Sequence, residues 1–268
     1  MDAELKSRPI IRWAGSKTRI LPILVEHMPE RFERYIEPFC GSMSLFVKMR
    51  PARSIMADIN PELINFYEQI RAYPTVIAEK VFALSRDKDE YYRQRSLDFR
   101  QMTCIDRAVR FFYLNRHCFN GVYRTNLKGD FNVPYGSKLT EIPTSDELHA
   151  FSESIQTAKF LNCDFETTVA EAEAGDLVYL DPPYAGTASK DRGEYGPNSF
   201  KAVDIARLGD SLRSASDNGA KILLSYASID LIKEEFSEWN ISEILVERSV
   251  SGFARGRKKV PEVIITNY

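Results

Sequence analysis

An Asp-Pro-Pro-Tyr run follows a short apolar segment, within DLVYLDPPYAG at residues 176–186. Proline cannot donate to a sheet ladder, so we expect the strand to end at Asp181. The residue before a proline is kept extended, and Pro182 and Pro183 stiffen the turn that follows. The pattern predicts a rigid ledge that presents a carboxylate, a proline carbonyl and the ring of Tyr184. A purely structural turn is the alternative.

Two earlier segments also place small or acidic residues where predicted strands end. RYIEPFC at 34–40 runs into the small-residue loop GSMS, and RSIMADI at 53–59 carries Asp58 near its end. Ligands of open α/β sheets bind beyond the carboxyl ends of the strands. The loop lets a ligand approach the backbone closely, and Asp58 can accept both hydroxyls of a ribose. A common Gly-Ser turn and a helix cap are the alternatives.

Strand and helix patterns alternate at both ends of the chain and enclose a helical stretch. Further strands are predicted at KFLNCD, DLVYLD, AKILLSY, ISEILVERS and PEVIITNY. Residues 61–155 are predicted to be mainly amphipathic helices, with a turn-rich hairpin at 120–136. We therefore predict an α/β sheet domain from residues 1–60 and 156–268, interrupted by a helical insertion at 61–155. The last two strands lack room for a crossover helix, so the C-terminal one should be antiparallel.

Composition narrows the class of protein. The 268 residues are 44% hydrophobic and 28% charged, as expected for one large globular domain or one domain with an insertion. We see no signal peptide and no apolar run approaching the ~18–20 residues of a membrane span. Three distant histidines argue against a metal centre. The scattered cysteines predict reduced, buried thiols of a cytosolic protein: Cys40, Cys104, Cys118 and Cys163.

Basic residues cluster although the formal net charge is −2. Residues 107–138 carry six basic side chains and one acid, and residues 248–259 carry five basic side chains and no acid. Two basic patches on an acidic body favour a localised contact with a polyanion. Solvated basic faces are the alternative.

Five segments occur in the order RWAGSK, EPFCGS, ADIN, NRHCFNGVYRTNLKGDFNVPYG and LDPPY. So arranged, and with RSVSGFARGRKK and EVIITNY at the end, the chain resembles DNA adenine-N6 methyltransferases of the Dam type. These form the D12 class, or alpha group, and use S-adenosylmethionine (AdoMet). The resemblance runs from about residue 10 to the final strand. It implies a Rossmann-like AdoMet-dependent methyltransferase sheet with a helical target-recognition insertion.

The resemblance also implies which residues bind AdoMet. Trp13 would pack along the cofactor and Lys17 would meet its carboxylate, although a core tryptophan and a surface lysine are the alternatives. Asp58 would bind the ribose. Met43 stands where many members have a second glycine, and its side chain is expected to narrow the pocket. The remaining residues assigned to the cofactor are Glu37, Pro38, Phe39, Gly41 and Asp181.

The implied reaction is methyl transfer to N6 of an adenine flipped out of duplex DNA, with GATC as the leading site. Asp181 and the Pro182 carbonyl would accept hydrogen bonds from the amino group, Tyr184 would stack on the base, and no metal is needed. Phe119 would wedge into the base stack and Arg124 would read a guanine. The alternative for Phe119 is an aromatic residue buried in the hairpin, and the alternative for Arg124 is a phosphate contact that reads no base.

Other residues are implied to lie along the DNA. Asn120, Val122, Asn126 and Pro134 would lie beside the wedge, and phosphates are assigned to Arg116, Lys128, Lys138 and residues 255–259. The implied partner is double-stranded DNA, with no membrane; a cognate restriction endonuclease is left open. We expect a cytoplasmic monomer, encoded by a bacterium or a phage.

Two other functions stay open at this point. One is a sequence-specific DNA-binding protein without catalysis, against which the intact Asp-Pro-Pro-Tyr run argues. The other is a methyltransferase that acts on RNA or another nucleic-acid substrate, against which the basic hairpin argues. A nicotinamide dehydrogenase is disfavoured because the chain has no GxGxxG.

Overall fold

The computed structural model describes residues 8–184, 200–249 and 257–268. The first half of the described chain contains α1 (Leu21–Glu26), β1 (Tyr35–Glu37), α2 (Ser44–Met49), β2 (Ser54–Ala57), α3 (Pro61–Ala72), α4 (Pro74–Phe82), α5 (Lys88–Ser96) and α6 (Cys104–His117). The second half contains α7 (Ser145–Ser154), β3 (Ala158–Leu161), α8 (Phe165–Val169), β4 (Leu177–Leu180), α9 (Ala202–Asp217), β5 (Lys221–Ala227), α10 (Asp230–Glu235), β6 (Asn240–Ser249) and β7 (Arg257–Thr266).

Seven strands form one sheet in the order β3-β2-β1-β4-β5-β7-β6. The first five strands are parallel, and β7 runs antiparallel to both of its neighbours. Strands β1, β2 and β4 are buried along their whole length, as central parallel strands must be. The mixed α/β, Rossmann-like fold and the antiparallel final strand are thus confirmed. Strand order reverses between β1 and β4, which opens a crevice at their carboxyl ends.

Each face of the sheet carries its own hydrophobic core. Successive side chains of a strand point to opposite faces, so Tyr35 packs with α2, α3 and α6 while Ile36 packs with α8 and α9. The first core continues without a break from the sheet to Phe66 and Phe112 of the helical segment. The division of the chain at residues 61 and 155 remains a prediction.

The predicted hairpin is less regular than expected. Its arms pair only at two isolated antiparallel bridges, Cys118 with Tyr135 and Thr125 with Phe131. A 3₁₀ turn with left-handed backbone at Asn120 (φ 55°) and Gly121 (φ 66°) interrupts one arm. Pro134, which has no N–H to donate, lies in the other.

Two smaller points complete the fold. The prediction that all four cysteines are buried is confirmed for Cys40 and Cys118 only. Cys163 is half-buried, and Cys104 is exposed because it begins α6 at the surface. No helix within the described ranges is long and apolar enough to cross a membrane.

Candidate active site

A cavity of about 690 Å³ lies at the crevice where strand order reverses. It collects every residue that the sequence assigned to catalysis or to the cofactor, from four separate segments of the chain. Those residues are Trp13, Lys17, Glu37, Pro38, Phe39, Gly41, Asp58, Asp181, Pro182 and Tyr184. Of the predicted DNA-binding residues, Arg124 also lines this cavity.

The Lys17 ammonium is the centre of a buried polar cluster. Its Nζ lies 3.0 Å from Asp181 Oδ1 and 3.2 Å from Glu262 Oε2, and it donates a 2.6 Å hydrogen bond to the Tyr184 hydroxyl. Lys17 is 8% exposed and Glu262 is 2% exposed. The partners of Lys17 are thus protein groups, whereas the resemblance implied the carboxylate of AdoMet.

Burial and pairing set the charges of this cluster. Burial would lower the pKa of Lys17, but Asp181, Tyr184 and Glu262 together raise that pKa, so the ammonium stays charged. Burial also raises the pKa of the Asp181 carboxyl, and the neighbouring ammonium opposes this shift. Burial, with the Asp181 carboxylate, raises the pKa of Tyr184 to about 12. Asp181 is thus a half-buried carboxyl group held next to a fixed cation.

Strand β5 supports the Pro-Pro-Tyr turn from one side. The Tyr226 hydroxyl donates to the Pro183 carbonyl over 3.4 Å, and the Tyr226 and Tyr184 rings meet edge to face with centroids 4.9 Å apart. The Ser225 hydroxyl donates to Asp181 Oδ1 over 3.4 Å. These contacts hold the ledge that the sequence predicted.

Backbone geometry explains the small-residue loop after β1. Gly41 has φ +42°, and a Cβ at this position would lie 2.8 Å from Cδ1 of Trp13. The Tyr67 hydroxyl donates to the Gly41 carbonyl over 2.6 Å, and the Gly41 N–H donates to Asp58 Oδ2 over 3.2 Å. Glycine is therefore required here both by the left-handed backbone and by the tryptophan that covers it.

The expectation that Met43 narrows the pocket is wrong. Its backbone is left-handed (φ 57°), a conformation that glycine adopts most easily. Its side chain is fully buried in the core around Tyr35 and Phe46, and it is not among the residues that line the cavity.

Two further carboxyl groups lie along the cavity floor. Burial raises the pKa of Asp58 to about 6, opposed by hydrogen bonds from the N–H groups of Asn60 and Gly41. Burial raises the pKa of Glu37 well above its ordinary value, and the charges of Asp181 and Asp58 raise it further. Glu37 accepts a 2.8 Å hydrogen bond from the Tyr35 hydroxyl.

An aromatic wall forms another side of the cavity and was missed in the sequence. Phe39 stacks on Phe165 with ring centroids 5.4 Å apart and meets Phe200 edge-on. Arg207 lies over Phe165 and pairs with Asp164 at 3.1 Å. The sequence could have indicated Asp164 and Phe165 as residues of the site, because they follow the carboxyl end of β3, which was predicted as a strand, and ligands bind beyond the carboxyl ends of such strands.

The hairpin presents several side chains to solvent. Phe119 is 47% exposed, so it is not the buried aromatic of the alternative hypothesis. Its N–H donates to the carbonyl of exposed Pro134, which places these two residues opposite each other. The Arg124 Nε donates to Asn132 Oδ1 over 2.8 Å, which fixes the plane of the guanidinium. The other exposed side chains of the hairpin include Asn120, Asn126 and Lys128, while Val122 is half-buried.

Comparison with known proteins places the chain in a family. The family model for D12 class N6 adenine-specific DNA methyltransferases matches residues 13–250. The chain belongs to this family. It is 34% identical to the type II methyltransferase M1.LlaDCHI of Lactococcus lactis subsp. cremoris, over 99% of this chain and 97% of that one. It is 32% identical to a DNA adenine methylase of Vibrio cholerae, over 97% and 95% of the two chains.

The chain is therefore a DNA adenine methyltransferase. Among solved structures, a precorrin-6y C5,15-methyltransferase of Geobacter metallireducens is 9% identical with a TM-score of 0.41, covering 97% of this chain and 98% of that one. A similarity at that level carries no argument about function.

In this methyltransferase, three arginines of the basic stretch at residues 107–138 precede the hairpin, and all three contact other residues of the protein. Arg107 pairs with Glu62, and Arg110 donates to the carbonyls of Gln94 and Arg95. Arg116 donates to the carbonyls of Ile10 and Glu141, and burial lowers its pKa to about 10. This placement does not favour the phosphate contact predicted for Arg116.

The exposed charges of that stretch are Lys128 and Lys138. Residues 250–256, which include part of the second basic patch, lie outside the described residues.

Proposed function

We propose that this methyltransferase transfers a methyl group from AdoMet to N6 of an adenine flipped out of duplex DNA. The observation that carries this proposal is the single cavity that joins the Asp181-Pro182-Tyr184 ledge to the loop around Gly41 and to Asp58. The proposal assigns the ledge to the target base and the remainder of the cavity to the cofactor.

The residues present fit AdoMet. Asp58 follows β2 and carries a carboxylate that can accept the ribose hydroxyls, and the wall of Phe39, Phe165 and Phe200 is apolar and aromatic, which suits a purine ring. Gly41 lets the Trp13 indole pack against the backbone of this loop, and both residues line the part of the cavity assigned to the methionine part of the cofactor. When bound, AdoMet would supply a methyl group already activated on a sulfonium.

The ledge supplies acceptors for the target amino group. Lys17 and Ser225 both contact Asp181 through Oδ1, so we assign Oδ2 and the Pro182 carbonyl to the two N–H groups of adenine. These bonds favour a pyramidal nitrogen with its lone pair free, and hydrogen bonds to charged groups contribute ~1.5–3 kcal/mol each. Alignment of donor and acceptor can contribute ~7–11 kcal/mol. As the N–C bond forms, the nitrogen loses one proton, for which the Asp181 carboxylate is the first acceptor.

The hairpin offsets the cost of base flipping, which is a few kcal/mol. Stacking of the exposed Phe119 ring into the gap would return ~1–3 kcal/mol. Arg124 lies on the hairpin and also lines the cavity, so it would read a guanine next to the flipped base. We propose GATC as the site on the similarity of the hairpin sequence, and the monomer as the active unit, because one chain supplies both regions.

Nucleoside mass spectrometry tests this function. Genomic DNA without adenine methylation is incubated with the protein and AdoMet that carries an isotope-labelled methyl group. We expect labelled N6-methyladenine and resistance to a nuclease blocked by GATC methylation, with Asp181→Ala as the inactive control. Methylated DNA that the nuclease still cuts would reject GATC as the site but not the methyl transfer. Duplex binding without any methylation would favour the binding protein instead.

A further inference from the structure

Glu262 reaches the active site from the far end of the chain. It lies on β7, which is antiparallel to β5, so the part of β7 that precedes Val263 lies at the carboxyl edge of β4 and β5. Its register partner on β5 is Ala227, the last residue of that strand. A parallel strand in this position would have placed the same residue away from the ledge.

The surroundings of Glu262 are those of a functional carboxylate. The Glu262 side chain is 2% exposed. An ionised carboxyl group is costly to bury unless it is paired. Its partner Lys17 already faces the Asp181 carboxylate and the Tyr184 hydroxyl. An ammonium has three N–H donors, and these three acceptors match them.

We propose that Glu262 is a positioning residue for methyl transfer, which holds the Lys17 ammonium between two carboxylates so that the ammonium is not paired with Asp181 alone. This inference rests on the proposed function, because it assumes that the reacting nitrogen lies at Asp181. Glu262 acts through Lys17 and is not assigned any contact with substrate or cofactor.

The reaction explains why the negative charge of Glu262 matters. As the N–C bond forms and the C–S bond breaks, positive charge leaves sulfur and arrives at the amino nitrogen, which then loses a proton. If Lys17 paired with Asp181 alone, it would neutralise the carboxylate. Asp181 would then stabilise the positive charge on the amino nitrogen less well. With Glu262 present, the ammonium is shared between two carboxylates, so it neutralises Asp181 less completely in a site where electrostatic effects are strong.

The first test is Glu262→Gln, which preserves size and an acceptor oxygen but removes the charge. In single-turnover methylation of duplex DNA, we expect the rate at saturating AdoMet to fall by about tenfold or more. The dissociation constants for DNA and AdoMet and the melting temperature should change little. Glu262→Asp, which keeps the charge, should retain more of the rate than Glu262→Gln.

A matched control is available on the neighbouring strand. Glu243 of β6 pairs with Lys233, but its side chain is 55% exposed. Glu243→Gln removes the same charge from the same edge of the sheet, and we expect no change in rate.

A double-mutant cycle tests whether Glu262 acts through Lys17. In a Lys17→Met background, Glu262→Gln should cost clearly less than it costs in the wild type. The inference is overturned by equal costs in both backgrounds, by an unchanged rate in Glu262→Gln, or by a loss of ligand binding and melting temperature that accounts for the loss of rate. A wild-type protein that makes no N6-methyladenine would reject the proposed function instead.

Discussion

The ledge and the hairpin meet at one cavity but are built in opposite ways. The ledge consists of buried charges that are paired inside the protein, with Lys17 joining Asp181, Glu262 and Tyr184. The hairpin presents exposed groups, among them Phe119 and Leu127, the latter 87% exposed at the tip. The reacting groups are thus oriented before any substrate arrives, whereas the groups proposed to read DNA gain their partners on contact with it.

Helices α5 and α6 hold the hairpin from behind, together with the segment that joins them. The Tyr91 hydroxyl donates to the Val133 carbonyl over 2.9 Å, while Arg100 donates to the Lys128 carbonyl and pairs with Asp130 at 2.8 Å. These contacts involve two backbone carbonyls of the hairpin and the side chain of Asp130. Its outer side chains are therefore presented on a supported frame.

The largest effect should come from the ledge. Asp181→Asn removes the charge of a carboxyl group that pairs with Lys17 and is proposed to bind the target amino group, so we expect methyl transfer to be about 100- to 1,000-fold slower. Duplex binding should persist because the hairpin is untouched. Single-turnover kinetics and a gel-shift assay measure the two quantities. Near-normal turnover in this variant would remove Asp181 from the reaction.

Phe119 should affect base flipping more than any chemical step. For Phe119→Ala we expect turnover on a paired duplex to fall about 10- to 100-fold, because the stacking energy is lost. The loss should shrink when the target adenine is mismatched and already unstacked. Fluorescence of 2-aminopurine at the target position measures flipping. Phe82→Ala, which removes a ring that is 49% exposed on α4, is the control; an equal loss there would point to a general effect.

Arg124 should affect discrimination at one base. The Asn132 contact orients its guanidinium for a two-pronged bond to guanine, so Arg124→Ala should reduce discrimination at one position about tenfold. Lys128→Ala should instead weaken binding to all sequences and reduce its salt dependence. Competition among oligonucleotides that differ at single positions separates these results. Uniform weakening in Arg124→Ala would identify a phosphate contact.

Asp58 gives the smallest and most gradual effect. With its pKa raised to about 6 by burial, the carboxyl is ionised above that pH and becomes protonated as the pH falls below it. AdoMet affinity should therefore decrease as the pH is lowered through about 6, by at most tenfold per pH unit. Calorimetric titration across this range measures the effect. Asp58→Asn should bind weakly with a flatter profile, and an equally flat wild-type profile would exclude a ribose contact by an ionised Asp58.

The strand ends of the parallel sheet could be predicted from the sequence. Apolar runs that stop at Asp58 and at Asp181 carry their own boundary signals, and the carboxyl ends of parallel strands must share one edge. The same rule would have found Asp164 and Phe165. The hairpin was also visible as a turn-rich stretch, although its ladder is interrupted at Asn120 and Gly121.

Residues whose roles depend on distant packing could not be predicted. Glu262 reaches Lys17 because the antiparallel direction of β7 places it at the ledge, and its local sequence contains no sign of this. Met43 was expected in the pocket, but a left-handed backbone turns its side chain into the core. The hydrogen bonds from Arg116 to the carbonyls of Ile10 and Glu141 were likewise not visible in the sequence.

The position of Trp13 makes the molecule its own optical probe. Its indole covers Gly41 in the loop assigned to the cofactor and stacks on Tyr123 of the hairpin, with ring centroids 5.5 Å apart. The chain has two tryptophans, and the other, Trp239, packs with Phe236 in the core on the opposite face of the sheet. With Trp239 replaced by phenylalanine, the emission of a single fluorophore would register the arrival of the cofactor and the movement of the hairpin in the same trace.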